Sequence, residues 1–375
     1  MDIGKQSNRE RLRVAYLQRG YADVMAGMLQ AMTNSNEVYY ICAKADESTL
    51  KRLSDRVHVF KSGAPRVSRL RNLMYIRKVA RFLRDLNPDI IHIQSGLLWE
   101  LFLPACFVRK PVVLTRHDVV QHLSDYSFAA IQRLAFAVEL RLASAVIVHS
   151  DCLVKMCYEA YGTHIGRRPV RSIPLGVNSC YGQSNGAASP GFPQILFFGR
   201  IDKYKGLEVL ARAWPTVRTC LPEMRLVIAG ATLNPKAEVH YRALFAHFPE
   251  VDCRLTYQSE DQVSKLFSES TAVVLPYIEA SQSGVLMLAH SFALPAVVSQ
   301  VGGLADIAKD GVNCLTFAPG DAGQLARALI RIVSDHKLSA TLKANIILER
   351  ETVFSWKLIV RAIDSLYREV LAVPR

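Results

Sequence analysis

Short apolar runs of four or five residues recur along this chain, and many of the stretches between them return an apolar residue every three or four positions. The short runs fall at 13–17, 38–42, 57–60, 89–93, 112–115, 145–148 and 170–173 in the first half. Most lack the apolar/polar alternation of a half-exposed strand, so they read as strands buried on both faces. Helical periodicity occupies 22–32, 68–86, 128–143 and 151–161 between them. A second set follows, with strands expected at 195–198, 225–229, 253–256, 272–275, 296–299 and 314–317. Helices are expected at 283–290, at 324–333 behind a capping Asp321, and at 354–370. Strand and helix alternating at this spacing require right-handed crossovers, and hence parallel sheets with helices on both faces.

Between the two sets lies 182–193, rich in Gly, Ser and Pro and without charge, which reads as a hinge. The predicted organisation is a first domain over 1–181, a linker over 182–193, a second domain over 194–353 and a closing helical segment over 354–375. A length of 375 residues is enough for two cores. The fold class expected is α/β, with two doubly wound sheets facing each other across a cleft. In such sheets ligands sit outside the carboxyl ends of the strands.

Composition narrows the function. Half the residues are hydrophobic, which excludes a disordered chain. The first ten residues lack the basic-then-apolar pattern of a secretion signal, and no uncharged apolar run approaches the length of a membrane span. The eight cysteines are scattered without zinc spacing or a disulfide framework, so a reducing cytoplasm is the expected compartment. The net charge is +13, and eight Lys or Arg with no acid lie between Lys61 and Arg84. There Arg77, Arg81 and Arg84 share one helix face, while Leu73, Ile76, Ala80 and Leu83 share another. That face is either a solvated surface or a dock for the anionic headgroups of an inner membrane surface. Nucleic acid is not expected as a partner, because only Tyr75 and Phe82 are interleaved with the charges and no base-reading motif occurs.

Candidate chemistry gathers at expected strand ends. Leu275-Pro-Tyr-Ile-Glu-Ala-Ser-Gln-Ser-Gly-Val285 puts Glu279 between a buried strand and a helix start. The unpaired N–H groups of that first turn, from Ser283, Gly284 and Val285, attract an anion, whereas Glu279 would accept from hydroxyls. A ligand with both phosphate and hydroxyls fits the pair. Gly199-Arg-Ile-Asp-Lys-Tyr-Lys-Gly206 sends Arg200 and Lys205 from another strand end, either as a diphosphate clamp or as a basic surface turn. His117 in Thr115-Arg-His-Asp118 stands at the rim of the first sheet, either paired with Asp118 or poised to bond a sugar hydroxyl or take a proton from an acceptor. Gly20 would let backbone approach a ligand, and Tyr257 ends the strand at 253–256, where a nucleobase would meet backbone groups or a plain loop would run. No Gly-X-Gly-X-X-Gly, no phosphate-loop Lys and no Asp-X-Asp occurs, so neither a dinucleotide cofactor nor a metal ion is expected.

Taken together, Pro88-Asp-Ile-Ile-His-Ile-Gln94, Thr115-Arg-His-Asp118, Ile173-Pro-Leu-Gly-Val177, Phe198-Gly-Arg200 with Lys205-Gly206, Pro276-Tyr-Ile-Glu279 and Ser281-Gln-Ser-Gly-Val285 resemble the retaining glycosyltransferases of family 4. Val301-Gly-Gly303 with Asp310-Gly311, and Phe354-Ser-Trp356, extend the likeness over roughly 12–372. The resemblance implies the GT-B fold of two facing Rossmann-like domains, the first for the acceptor and the second for a nucleotide-sugar. It implies that Arg200 and Lys205 clamp the diphosphate, that Glu279 holds donor-sugar hydroxyls, that Ser283, Gly284 and Val285 offer amides, and that His117 sits near sugar and acceptor. Two departures stand out: Met287 occupies the place, eight residues after Glu279, of a second Glu that often grips the ribose, and the usual Gly-Gly of the first loop is reduced to Gly20. The expected reaction is retaining transfer of a hexose from a nucleotide-diphosphate sugar to a lipid-linked or polysaccharide acceptor. A nucleotide-sugar 2-epimerase on the same fold and a silent nucleotide-sugar binder are the alternatives.

Overall fold

Valine, isoleucine and leucine fill the short runs, and a strand apolar on both sides is stable only when helices cover both faces of its sheet. The structure, a computed structural model, describes residues 11–18, 22–42, 47–63, 71–94, 105, 108–119, 129–177 and 191–373. Gly20, most of the 182–193 linker and residues 64–70 of the basic segment lie outside the described residues. The chain divides into two compact units.

The first unit contains strands β1 (Leu12–Gln18), β2 (Asn36–Cys42), β3 (Val57–Lys61), β4 (Ile90–Gln94), β5 (Val112–Thr115), β6 (Ala145–Val148) and β7 (Val170–Ser172). Its helices are α1 (Ala22–Met32), α2 (Glu47–Arg52), α3 (Arg71–Leu86), α4 (Ala129–Leu142) and α5 (Asp151–Ile165). The strands form one parallel sheet in the order β3-β2-β1-β4-β5-β6-β7. Ala15, Leu17, Ile91, Ile93 and Leu114 pack on Val79 and Leu83 of α3, Phe136 and Leu140 of α4 and Leu153 of α5. Helix α5 runs past the expected end at 161, with non-helical backbone at Tyr161.

The second unit holds β8 (Gln194–Phe198), α6 (Leu207–Cys220), β9 (Arg225–Ala229), α7 (Pro235–Phe245), β10 (Val251–Arg254), α8 (Glu260–Glu269) and β11 (Ala272–Leu275). It continues with α9 (Gly284–Ser291), β12 (Ala296–Ser299), α10 (Leu304–Ile307), β13 (Cys314–Phe317), α11 (Ala322–Ser334) and α12 (His336–Thr352). Its parallel sheet has the order β10-β9-β8-β11-β12-β13. Asp321 caps α11 through the Gln324 N–H at 2.8 Å, as its position predicts. Strand β10 lies two residues earlier than the apolar run at 253–256 predicts. It is an edge strand of alternating exposure, and the Leu255 that suggested its centre is buried just beyond its end.

The last helix, α13 (Trp356–Ala372), returns to the first unit. Asp364 accepts from Ser35 Oγ at 2.6 Å and from Asn36 Nδ2 at 2.7 Å, and Arg171 Nη2 reaches both carboxylate oxygens of Glu369 at 2.8 and 3.0 Å. The helix of the expected closing segment 354–375 thus groups with the first unit. It covers the face of the first sheet opposite α3, beside α1. No helix among the described residues is long and apolar enough to cross a membrane.

Trp214 of α6 is fully buried in the second core, and its indole N–H donates to Glu250 Oε1 at 2.9 Å. Trp214→Ala is expected to lower the unfolding free energy by about 3–5 kcal/mol, through lost burial and the cavity left behind. Urea denaturation followed by circular dichroism measures this; an unchanged midpoint would contradict the packing.

Candidate active site

In each sheet the strand order reverses once, between β1 and β4 in the first unit and between β8 and β11 in the second. A reversal sends successive crossovers to opposite sides and opens a crevice at the carboxyl ends of the two strands. In the second unit the loops flanking that crevice carry Arg200 with Lys205 and, on the other side, Glu279.

Past β8 the chain turns through a single 3-10 turn, Lys203–Lys205, because Asp202 accepts from the Lys203 N–H at 2.7 Å. The second Asp202 oxygen stands 3.5 Å from Arg200 Nη2, which also reaches the Tyr204 hydroxyl at 3.4 Å. Arg200 is thus steered by a buried carboxylate while its side chain stays half-exposed. Lys205 Nζ lies 3.6 Å from the centroid of the Tyr277 ring and 5.0 Å from that of Tyr204, a cation over two aromatic rings.

Tyr277 ties this turn to the Glu279 segment. Its ring is fully buried and its hydroxyl lies 3.5 Å from Ser283 Oγ, while its carbonyl accepts from Ser299 Oγ at 2.6 Å. The next residue, Ile278, donates its N–H to the Tyr204 carbonyl at 2.7 Å. Burial raises the Tyr277 phenol far above its ordinary range, so it stays neutral. The approach depends on Gly206, at φ 69°, where a Cβ would stand 1.8 Å from the Pro276 carbonyl oxygen. Gly302, after β12, sits as close to the Ala280 carbonyl, so Val301-Gly-Gly303 abuts the same segment.

Ser283 caps α9, its Oγ accepting from the Leu286 N–H at 3.2 Å. The amides of Gly284 and Val285, in the first turn, have no carbonyl four residues back within the helix. Gly284 is exposed and Val285 half-buried, beside a half-buried Glu279. Met287, in place of a second Glu, is buried within α9. The structure therefore brings the Arg200 and Lys205 turn against the segment bearing Glu279, Ser283, Gly284 and Val285. Tyr257 is apart from them: it is 80% exposed beyond edge strand β10, with β9 and β8 between it and β11.

In the first unit His117 is not a free rim histidine. It is buried, its Nε2 lying 2.8 Å from Gln94 Nε2 and its Nδ1 3.1 Å from His149 Nε2; His149 Nδ1 in turn meets the Ile173 carbonyl at 2.9 Å. His92 bridges Tyr367 of α13 at 2.5 Å and Thr115 Oγ1 at 2.7 Å. Burial lowers His92 to about 3 and His149 to about 4, and burial with the neighbouring His149 pushes His117 far below its ordinary value as well. A ring held neutral in this way makes hydrogen bonds and rests unprotonated near neutral pH. Reading the sequence missed Asp202, Tyr204, Tyr277, Gln94 and His149. Only His149 carried a signal, because it follows strand β6 directly, much as His117 follows β5.

The family model described as glycosyltransferase family 4 matches residues 20–179, and that described as glycosyl transferases group 1 matches residues 192–335. The chain belongs to the family-4 glycosyltransferases. It is 28% identical over 182 residues to an uncharacterised glycosyltransferase of Methanocaldococcus jannaschii, covering 46% of this chain and 44% of the relative. It is 23% identical over 270 residues to a phosphatidyl-myo-inositol mannosyltransferase of Propionibacterium freudenreichii subsp. shermanii, covering 69% and 65%. The chain thus spans about half to two thirds of the length of these relatives. The structure of Anabaena HepE in complex with UDP and glucose superposes with a TM-score of 0.74 at 18% identity, over 96% of this chain and all of that one. The two parallel α/β units of this family-4 chain are those of the two-domain GT-B fold.

Two outcomes follow from the geometry. Gly206→Ala is expected to cost more than about 1 kcal/mol of stability, because alanine is strained at positive φ and its methyl meets a backbone oxygen. A denaturation midpoint equal to wild type would refute the close approach. The histidines give a pH dependence. Their native values lie below the unfolded value of about 6.5, so the unfolded chain binds more protons below that pH and stability falls as pH drops from about 6.5 towards 4. Glu139, which burial raises to about 7 against the pull of Arg116, acts with the opposite sign over that window. It is one group against His92, His117, His149 and His290, the last lowered by burial to about 4. Denaturant midpoints at three pH values check the slope, and a rise on acidification would contradict it.

Proposed function

We propose that this family-4 chain is a retaining glycosyltransferase that moves a hexose from a nucleotide-diphosphate sugar to a lipid-linked or polysaccharide acceptor on the cytoplasmic side of a membrane. The observation that carries this reading is the lacing, through Tyr277, of the Arg200 and Lys205 turn to the Glu279 segment at the strand-order reversal. A diphosphate gains charge as the glycosidic bond breaks, so fixed cations and amide dipoles aimed at it lower the barrier. Arg200 and Lys205 supply that charge from one side, without a metal ion. The amides of Ser283, Gly284 and Val285 face it from the other, with Glu279 accepting hydrogen bonds from the hexose.

The nucleoside extends along the strand ends towards Tyr257, two strand spacings, or about 10 Å, from β8. With Met287 in place of a carboxylate, backbone groups hold the ribose. In this reading residues 194–353 bind the donor and residues 1–181 the acceptor, with neutral His117 contributing a hydrogen bond near the sugar. The acceptor hydroxyl attacks on the face that the diphosphate leaves, which retains the anomeric configuration. The relatives named above support the donor class: one is named as a mannosyltransferase and one structure holds UDP with glucose.

Arg77, Lys78, Arg81 and Arg84 are exposed along α3, whose Val79, Ala80 and Leu83 face the core. That face fits an anionic membrane surface, where each such residue contributes about 1 kcal/mol.

Glu279→Ala and Lys205→Ala are each expected to lower kcat by roughly 100-fold to 1,000-fold while leaving the circular dichroism spectrum unchanged. The assay follows sugar transfer from a panel of nucleotide-sugars, chosen by the rise in melting temperature that a bound donor gives. Near-normal turnover in either variant removes the site, and a product of inverted configuration removes the retaining reaction.

A further inference from the structure

Four adjacent strands of the first sheet end in one hydrogen-bonded file. Gln94 closes β4, His117 follows β5, His149 follows β6 and Ile173 follows β7, and each contact spans one gap between neighbouring strands. The file has a fixed direction. The Ile173 carbonyl can only accept, so the His149 nitrogen 2.9 Å away, Nδ1, must carry a proton. In a neutral ring Nε2 is then bare, and it accepts from His117 Nδ1–H at 3.1 Å. The His117 Nε2 is bare in turn, and it accepts from the Gln94 amide at 2.8 Å. The opposite direction would set a lone pair of His149 against the Ile173 oxygen.

Both rings are neutral. Each is buried, and burial is the largest influence lowering both. Of the charged groups that act on them, Asp118 draws both upwards and Arg116 lowers His117, and neither outweighs burial. The rings lie with centroids 4.7 Å apart and planes inclined by 39°.

We propose that His149 is a positioning residue which, held by the Ile173 carbonyl, fixes His117 as the Nδ1–H tautomer and so makes His117 Nε2 a hydrogen-bond acceptor. The inference builds on the reading of His117 as a contact of the sugar or acceptor. A hydroxyl that meets His117 must donate to Nε2, displacing the Gln94 amide. A carbonyl or phosphate oxygen is turned away, because it offers no proton. The file thus selects the polarity of what binds, and His149 does so without touching it.

The test reads the tautomer directly. Protein labelled with 15N-histidine, free of ligand at pH 7.5, is examined by two-bond proton–nitrogen correlation, with His117 assigned by loss of its signals in His117→Gln. The wild type is expected to show His117 protonated at Nδ1 and bare at Nε2. His149→Gln, whose amide still donates to Ile173 and accepts from His117, is expected to keep that pattern. His149→Phe, which keeps the ring without its nitrogens, is expected to move the proton to Nε2. It should also lower kcat by about tenfold with the donor KM unchanged, and His149→Gln should restore most of the loss.

A proton on Nε2 of His117 in the wild type overturns the proposal, and so does an unchanged tautomer in His149→Phe. If His149→Phe does not fold, the wild-type and His149→Gln spectra decide alone. A moved tautomer with unaltered turnover rejects the functional part and leaves the transferase reading intact. Absence of transfer by the wild type would instead reject that reading, with the tautomer still decided by the spectra.

Discussion

The ring of Tyr277 is the point on which the second unit's crevice depends. Three elements meet at this residue and its neighbour: the turn after β8, through Lys205 and the Tyr204 carbonyl that Ile278 reaches, the cap of α9 through Ser283, and the end of β12 through Ser299. A lysine left to itself in water would spread over many rotamers. Seated over a buried aromatic face, it loses that freedom before any ligand arrives, so less ordering remains to be done on binding. The same economy holds for Arg200, whose guanidinium is steered by the buried Asp202.

The first unit solves a different problem with neutral groups. Its strands and the residues just beyond them carry Gln18, His92, Gln94, Thr115, His117 and His149, all buried. Burying so many polar side chains is costly unless they satisfy one another, and in a low-dielectric layer they do so with fixed direction. Gln18 is the exception, its amide atoms having no hydrogen-bond partner among the described residues. One unit thus presents organised positive charge and helix amides, and the other organised uncharged donors and acceptors. Such a division suits a reaction in which one ligand is an anion and the other a hydroxyl.

Much of this was legible in the sequence because buried parallel strands have little freedom. The runs at 112–115, 145–148, 225–229, 272–275, 296–299 and 314–317 became strands at those same residues, since an apolar run of that length between helices has no other stable use. Edge strand β10 was misplaced, because exposure on one side let a buried loop residue, Leu255, pass for its centre. The cationic turn and Glu279 were legible as types of residue at strand ends. What joins them was not, since Tyr277 reads from composition as one more core aromatic. Nor could spacing show that His117 shares its nitrogens, because Gln94 and His149 are 23 and 32 residues away and become neighbours only when β4, β5 and β6 align.

The return of α13 has a consequence for synthesis. Its Tyr367 and Asp364 bond to His92, Ser35 and Asn36, yet they are synthesised 275 to 329 residues later. The second unit, which lies inside the first along the chain, emerges whole before that helix does. The half whose synthesis begins first is therefore completed only after the second unit has emerged. Until then the layer holding His92, Gln94 and His149 lacks the cover that Trp356, Ile359 and Ile363 of that helix bring.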